Sequence, residues 1–364
     1  MAAIAPSGLV TLGGATTPRV RVAAPGVPAA LPRLAVTDPA LTDPHWIGFH
    51  EHGMGGAPFD LAALGPIEVT LCGHGLILRE GALLDDPSIL PAYVLPSLAK
   101  FPGDPIAEAR AKPVRTVGRP ALVFHGWGVR VYGHFLIEML PKLLLAARFP
   151  ALFGGLAPVL DRQMPDWFIA ILRDHLGLDP ARAIWFDSAA ERLHLTRAVI
   201  LPLLAREGGW HAAAGPLFDD FTRRHAAEAE AGARLFVARG DFANPAAPQR
   251  RYPNEAEIAE IAATEFGFEA IRPETLAFPA QIRRFAAAGA IVGHAGSGMH
   301  NAIFAPAGAR VGMIRFTAPD QSAIAALRCH RIAYLTAGVA EAEPGSFIVD
   351  PEIFRRFLAA LLAA

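Results

Sequence analysis

The stretch Ala290–Phe304, AIVGHAGSGMHNAIF, decides the fold. Ala290–Gly293 reads as a buried strand, His294-Ala295-Gly296-Ser297-Gly298 as a loop of small residues, and Gly298–Phe304 as a helix. Strand, tight turn and helix in succession make one step of a parallel α/β layer. The same step recurs on both sides. Strands are expected at Arg234–Ala238, Glu269–Arg272, Arg310–Arg315 and Ile332–Leu335. Helices are expected around Phe218–Glu230, at Glu255–Phe266 and Pro279–Ala288, and near Ser322–Arg328. Such alternation implies a parallel sheet with helices on both faces. A last helix, Pro351–Leu362, starts with Asp350 as cap and Pro351 at its first position.

The first half is less regular. Residues 1–60 are rich in Pro, Gly and Ala and read as an irregular arm or a loosely built first layer, with one short strand at Arg19–Val22. Ile67–Leu84 alternates as a hairpin turning at Cys72-Gly73-His74-Gly75. Strands follow at Ala121–Phe124, Leu156–Leu160, Ile184–Phe186 and Leu195–Leu201, with a helix at Trp167–Leu176. Tyr132, Leu136, Met139, Leu140, Leu143, Leu144 and Ala147 recur at helical spacing, although Pro141 should kink that helix. Apolar periodicity lapses at Ala205–Gly215, the best linker.

The 364 residues are 52% hydrophobic and 18% charged with a mean hydropathy of +0.32, which excludes a disordered or fibrous chain. Lys+Arg is 33 and Asp+Glu 34, a net charge of −1, so a generally basic nucleic-acid binder is excluded. Cys72 and Cys329 are the only cysteines, and they form neither a disulfide scaffold nor a CxxC zinc site. No cationic n-region precedes Arg19 and no apolar run approaches about 20 residues. A cytoplasmic protein is expected.

Ligands of open parallel sheets bind beyond the carboxyl ends of strands. The turn His294–Gly298 lies there, and its amides and the following helix start would suit a phosphate or diphosphate. An ordinary tight turn with Ser297 near the helix cap explains the same residues. The turn is neither GxGxxG nor a Walker loop, and Ser297 lacks the flanking glycines of a nucleophile elbow. Arg239 follows the Arg234–Ala238 strand directly, and Arg250 and Arg251 follow a Pro-containing loop. An arginine there would reach a diphosphate; one of the latter two reads as a solvated loop charge. Asn254 with Glu257 reads as a capping box. His134 and Glu138 share a helical face, so the carboxylate could orient the imidazole as a general base; a partly exposed ion pair is the plainer alternative. His45, His50, Glu51 and His52 read as solvated loop residues, and no Asp-x-Asp follows an apolar strand, so no metal site is expected.

In order and spacing these segments resemble the family 61 glycosyltransferases over about residues 120–315. The family's H-hydrophobic-hydrophobic-x-(D/E)-x-LP-(R/K)-L segment is matched by His134-Phe135-Leu136-Ile137-Glu138-Met139-Leu140-Pro141-Lys142-Leu143. Arg239 ends a strand as in the family, and Arg251, Asn254 and Glu255 match R-x-x-NE. Gly267-Phe268, Pro273-Glu274, Gln281, Phe285 and Ala288 follow in order, and Gly296, Ser297, Gly298, Asn301 and Phe304 fill the Gly-rich turn. One departure stands out. The family's His directly before that turn is Ala295 here, with His294 one position earlier, and a one-residue shift points a strand side chain the other way.

The resemblance implies an α/β fold of the GT-B kind: two Rossmann-like domains with a cleft between them and a C-terminal helix packing back on the first. The expected divisions are an irregular arm (1–60), an acceptor-side domain (61–210), a nucleotide-sugar-binding domain (211–350) and the final helix (351–364). It implies an inverting, metal-independent transferase with a nucleotide-sugar co-substrate and no cofactor. Its partners would be a nucleotide-diphosphate sugar and a glycan or lipid-linked glycan acceptor, with peripheral membrane association and no nucleic acid. Bacterial surface polysaccharide assembly fits that description. The base would be His134 oriented by Glu138, or Glu138 itself. Donor-binding residues would be Arg239, Arg251, Asn254, Glu255, His294, Gly296, Ser297, Gly298 and Asn301. A non-catalytic nucleotide- or sugar-binding protein on the same scaffold is the alternative; a hydrolase is more remote.

Overall fold

A computed structural model describes residues 19–23, 33–43, 59–100, 103–206, 209–226, 232–240, 250–315 and 318–364. His45, His50, Glu51 and His52 lie outside these. The described residues divide into two compact units: 19–23, 59–206 and 211–217 in the first, and 33–43, 209–210 and 218–364 in the second. Both are α/β. Among the described residues no helix is long and apolar enough to cross a membrane.

The first unit is built on a mixed sheet. Its central strands are β1 (Leu61–Leu71), β2 (Ala121–Val123), β3 (Ala157–Asp161), β4 (Ile184–Phe186) and β5 (Arg192–Ile200). They lie in the order β1-β5-β2-β3-β4, with β5, β2, β3 and β4 parallel and β1 antiparallel to β5. The expected turn at Cys72–Gly75 leads from β1 into Ile77–Arg79, which pairs back on it. Leu64, Val69, Val123, Val159, Ile184, Phe186 and Leu195 are fully buried in the core of this sheet.

The second unit is wholly parallel in its main sheet. Strands β6 (Ala233–Val237), β7 (Glu269–Ile271), β8 (Ala288–His294), β9 (Arg310–Ile314) and β10 (Arg331–Leu335) run in the order β7-β6-β8-β9-β10. Arg33–Leu34, from the stretch read as an arm, adds a parallel edge strand beside β10. Alternate side chains of the sheet serve opposite helical layers. Phe236, Val292, Ala333 and Leu335 pack with α1 (Glu255–Phe266). On the other side, α2 (Phe278–Ala286) and α3 (Pro319–Arg328) pack against the helical turn that follows β8. A two-stranded hairpin, β11 (Val339–Glu343) and β12 (Ser346–Val349), leads to α4 (Pro351–Ala363).

The apolar stripe of helix α4, Phe354, Phe357, Leu358 and Leu361, is buried against α1 and the sheet of its own unit. The approach is close enough that a Cβ on Gly312 would stand 3.0 Å from both Phe357 and Leu361. Asp350 caps the helix as expected, accepting from the amides of Glu352 and Ile353.

The helix expected after the Gly-rich turn is present and is of the tighter kind. Ser297–Phe304 is wound as a 3-10 helix, not an α-helix. Asn301 supplies the reason: its Nδ2 donates to the Gly298 carbonyl at 3.1 Å, which an α-helical Ala302 N–H would otherwise use.

Candidate functional site

In the first unit the site rests on one irregular helix. Tyr132–His134 and Leu140–Arg148 are α-helical, and Phe135–Met139 between them is π-helical. Pro141 has no N–H to give the Ile137 carbonyl, and widening the preceding turn accommodates that loss without ending the helix. His134 and Glu138 are brought together as expected. Nδ1–H of His134 donates to Glu138 Oε1 at 2.8 Å, which selects the tautomer whose Nε2 is the basic nitrogen. The Tyr93 hydroxyl donates to the same carboxylate oxygen at 2.5 Å and lies 3.0 Å from Nδ1. Glu138 is buried and His134 half-buried. Lys142, one turn further on, is also buried; burial pushes its ammonium down to about 8 against the pull of Glu138.

Sequence reasoning missed two supports of this pair. Tyr93 lies 41 residues before His134 and belongs to no motif. Gly128, in a left-handed backbone at φ 72°, leaves the space the imidazole occupies: a Cβ there would stand 2.7 Å from His134 Cγ and Cδ2.

In the second unit the strand order 2-1-3-4-5 has its switch point between β6 and β8, where a doubly wound sheet opens a crevice beyond its carboxyl edge. Arg239 and the turn 295–298 follow these two strands. Arg239 Nη1 lies 3.1 Å from where a Cβ on Gly296 would be, and its Nε donates to the Arg250 carbonyl at 3.2 Å. Arg250 Nη1 donates to the Ala295 carbonyl at 3.1 Å. Two guanidinium groups therefore border the turn.

A third, Arg315, follows β9 with φ 96°, a conformation costly for a side chain of this size, and lies 3.5 Å over the Phe347 ring. It matches no motif read from the sequence. Arg239, Arg250 and Arg315 all act on the buried Tyr252, whose phenol burial pushes up while the three cations draw it down. Burial lowers Arg250, and the like charges of Arg239 and Arg315 lower it further. Each cation raises the cost of the others, and an anion placed among them relieves it.

The remaining expected donor residues separate into distinct roles. Glu255, first in α1, turns back so that Oε1 accepts from Arg239 N at 2.7 Å and Oε2 from Gly240 N at 2.5 Å. That fixes the chain as it leaves β6. Ser297 and Gly298 remain half-buried on the turn. Asn301 is fully buried, donating also to Gln281 at 3.2 Å, so it buttresses the turn from within. His294 is enclosed, stacked on Tyr252 with ring centroids 3.4 Å apart, and burial and then Arg239 push its imidazole down to about 3. Its Nε2 is 3.3 Å from Glu255 Oε1 but not aligned for a hydrogen bond. The imidazole is neutral.

Two readings are corrected. Asn254 stands before α1, but its side chain forms no capping hydrogen bond; Nδ2 donates to Val349 O at 2.7 Å and Oδ1 accepts from Val349 N at 3.1 Å. A backbone strand edge with both partners in line outcompetes the cap. Of the adjacent arginines, Arg250 rather than Arg251 reaches the turn. Arg251 gives its backbone to Gly345 and Phe347, and its side chain is exposed, since successive residues of an extended segment face opposite ways. Among the described residues no cluster of three or more His, Cys, Asp and Glu is placed to hold a metal ion.

The family model described as Glycosyltransferase 61 matches residues 132–312. The matched span begins at the helix of His134 and Glu138 and runs through Arg239 and the turn to β9. No curated protein matches the chain. Residues 132–312 are therefore similar to the glycosyltransferase 61 family, and that match supports a glycosyltransferase.

Proposed function

We propose that the protein is an inverting glycosyltransferase of the GT-B kind, moving a sugar from a nucleoside-diphosphate donor to a hydroxyl of a glycan or lipid-linked glycan. The observation that carries this reading is the gathering of Arg239, Arg250 and Arg315 around Tyr252 at the carboxyl edge of a doubly wound sheet, with Arg239 and Arg250 on the turn. In this mechanism the acceptor oxygen attacks the anomeric carbon as the bond to the diphosphate oxygen breaks. The electron pair leaves on the diphosphate, where Arg239, Arg250 and the amides of Gly296–Gly298 offset the growing charge. His134 Nε2 takes the acceptor proton, and Glu138 stabilises the imidazolium through Nδ1–H. The protein's own guanidinium groups replace a resident metal in this scheme, and the cytoplasm is the proposed compartment.

The test is calorimetric titration of the whole protein with UDP, GDP, CDP and dTDP. At least one should bind, and Arg239→Ala should weaken it about tenfold or more, since a charge-assisted hydrogen bond is worth about 1.5–3 kcal/mol. His134→Ala should bind the same nucleotide normally and lose transfer. Unchanged binding by Arg239→Ala would overturn the assignment.

A further inference from the structure

The carboxyl edge of the first unit's sheet carries a cavity of about 430 Å³ that neither the base pair nor the diphosphate site accounts for. It lies beyond the ends of β2, β3 and β4, where a parallel sheet binds ligands, and pockets of roughly 300–1,000 Å³ take small molecules. Its lining includes His74, Lys112, His125, Trp127, Arg130 and Asp161.

His125 forms part of the wall. It is 3% exposed, and its Nε2–H donates to the Cys72 carbonyl at 2.7 Å, which leaves Nδ1 as an acceptor. Nδ1 has no hydrogen-bond partner among the described residues. That nitrogen is closed to solvent, so His125 fixes the cavity wall through its bond to Cys72 rather than offering a ligand contact. Asp161, 2% exposed, already accepts from the amides of Ser188 and Gln163 through Oδ1, and its Oδ2 is 3.8 Å from Arg130 Nη2. Lys112 Nζ donates to the Ser188 carbonyl at 2.8 Å and brings a second cation. Two cations therefore face one carboxylate already held by backbone amides, so the lining favours an anion. Trp127 and His74, with ring centroids 6.3 Å apart, add flat apolar faces of the kind that take the C–H side of a sugar ring. The lining also includes Gly128, the residue on which the His134 ring packs.

We propose that this cavity binds a saccharide bearing an anionic group, a carboxylate or a phosphate. Its charge meets Arg130 and Lys112, and its ring lies on Trp127. That this saccharide is the acceptor rests on the transferase reading above; that it binds does not.

Glucuronic acid, glucose 6-phosphate, methyl glucoside and inorganic phosphate are titrated separately into the whole protein without nucleotide, by calorimetry. At least one acidic sugar should bind about tenfold or more tightly than methyl glucoside, and the better of the two identifies the charge. Arg130→Ala, at a half-exposed position, should remove most of that margin with the thermal melt followed alongside. Equal binding of methyl glucoside, an unaffected Arg130→Ala, or inorganic phosphate binding as tightly as the better acidic sugar would each overturn the proposal. A protein that binds the acidic sugar but no nucleoside diphosphate would sink the transferase reading and leave this one standing.

Discussion

His294→Phe separates a packing ring from a ligand contact. His294 is enclosed beside Tyr252, and its imidazole stays neutral until about pH 3, against an ordinary value of 6.5. The unfolded chain takes up this proton below pH 6.5 and the folded one does not. The stability linked to His294 is therefore complete above 6.5 and is lost as pH falls toward 3. At one pKa unit per 1.36 kcal/mol, the depression amounts to roughly 5 kcal/mol in full. At pH 5 about 1.5 of those 3.5 units have been drawn, or about 2 kcal/mol. Phenylalanine keeps the stack and cannot titrate. Urea melts at pH 8 and pH 5 should show the wild type losing about 2 kcal/mol more than the variant, other acidic groups cancelling in the difference. Parallel losses in the two proteins would mean that the folded ring is solvated or protonated against Glu255, and the enclosure argument would be refuted. The variant should also bind nucleoside diphosphate as the wild type does, because no face of this ring is open.

Two further outcomes follow from named contacts. Glu138→Gln removes the carboxylate that selects the His134 tautomer; imidazole ¹⁵N shifts should pass from a single Nδ1–H species to a mixture, with transfer reduced, and an unchanged tautomer would remove Glu138 from its role. Asn254→Ala removes two hydrogen bonds to Val349 and should cost about 1–3 kcal/mol in urea melts; undiminished stability would return Asn254 to the ligand-binding set.

The alternating strands and helices of the second unit were legible because its central strands are buried on both faces. Runs such as Leu235-Phe236-Val237 and Ala290-Ile291-Val292 are then continuously apolar. The β11–β12 hairpin was not legible, since β11 reads VAEAE and is largely exposed, so no apolar pattern marks it. Arg33–Leu34 was hidden for another reason: two residues carry no period, and only the open edge of β10 makes them a strand. Within the site, His134 with Glu138 and Arg239 with the turn were readable from helical spacing and from position after a strand. Tyr93 and Arg315 were not, because tertiary contact brings them in from outside every local pattern. The choice between Arg250 and Arg251 turns on the phase of an extended segment, which depends on Ser346 almost a hundred residues away.

The displaced histidine acquires a physical meaning in this setting. The position directly before the glycine turn carries the buried methyl of Ala295, and Arg250 reaches its carbonyl. His294, one residue earlier on β8, is turned onto Tyr252 and held neutral. Among the described residues, the proposed diphosphate would meet backbone amides and guanidinium ions on this edge, and the latter keep their charge throughout the physiological range. Glu255, a carboxylate close by, is tied to the amides of Arg239 and Gly240. A histidine titrating on the proposed diphosphate side would make the charge there depend on pH; fixed guanidinium charge does not. In the proposed transfer the titratable role falls to His134, whose partner Glu138 is already in place.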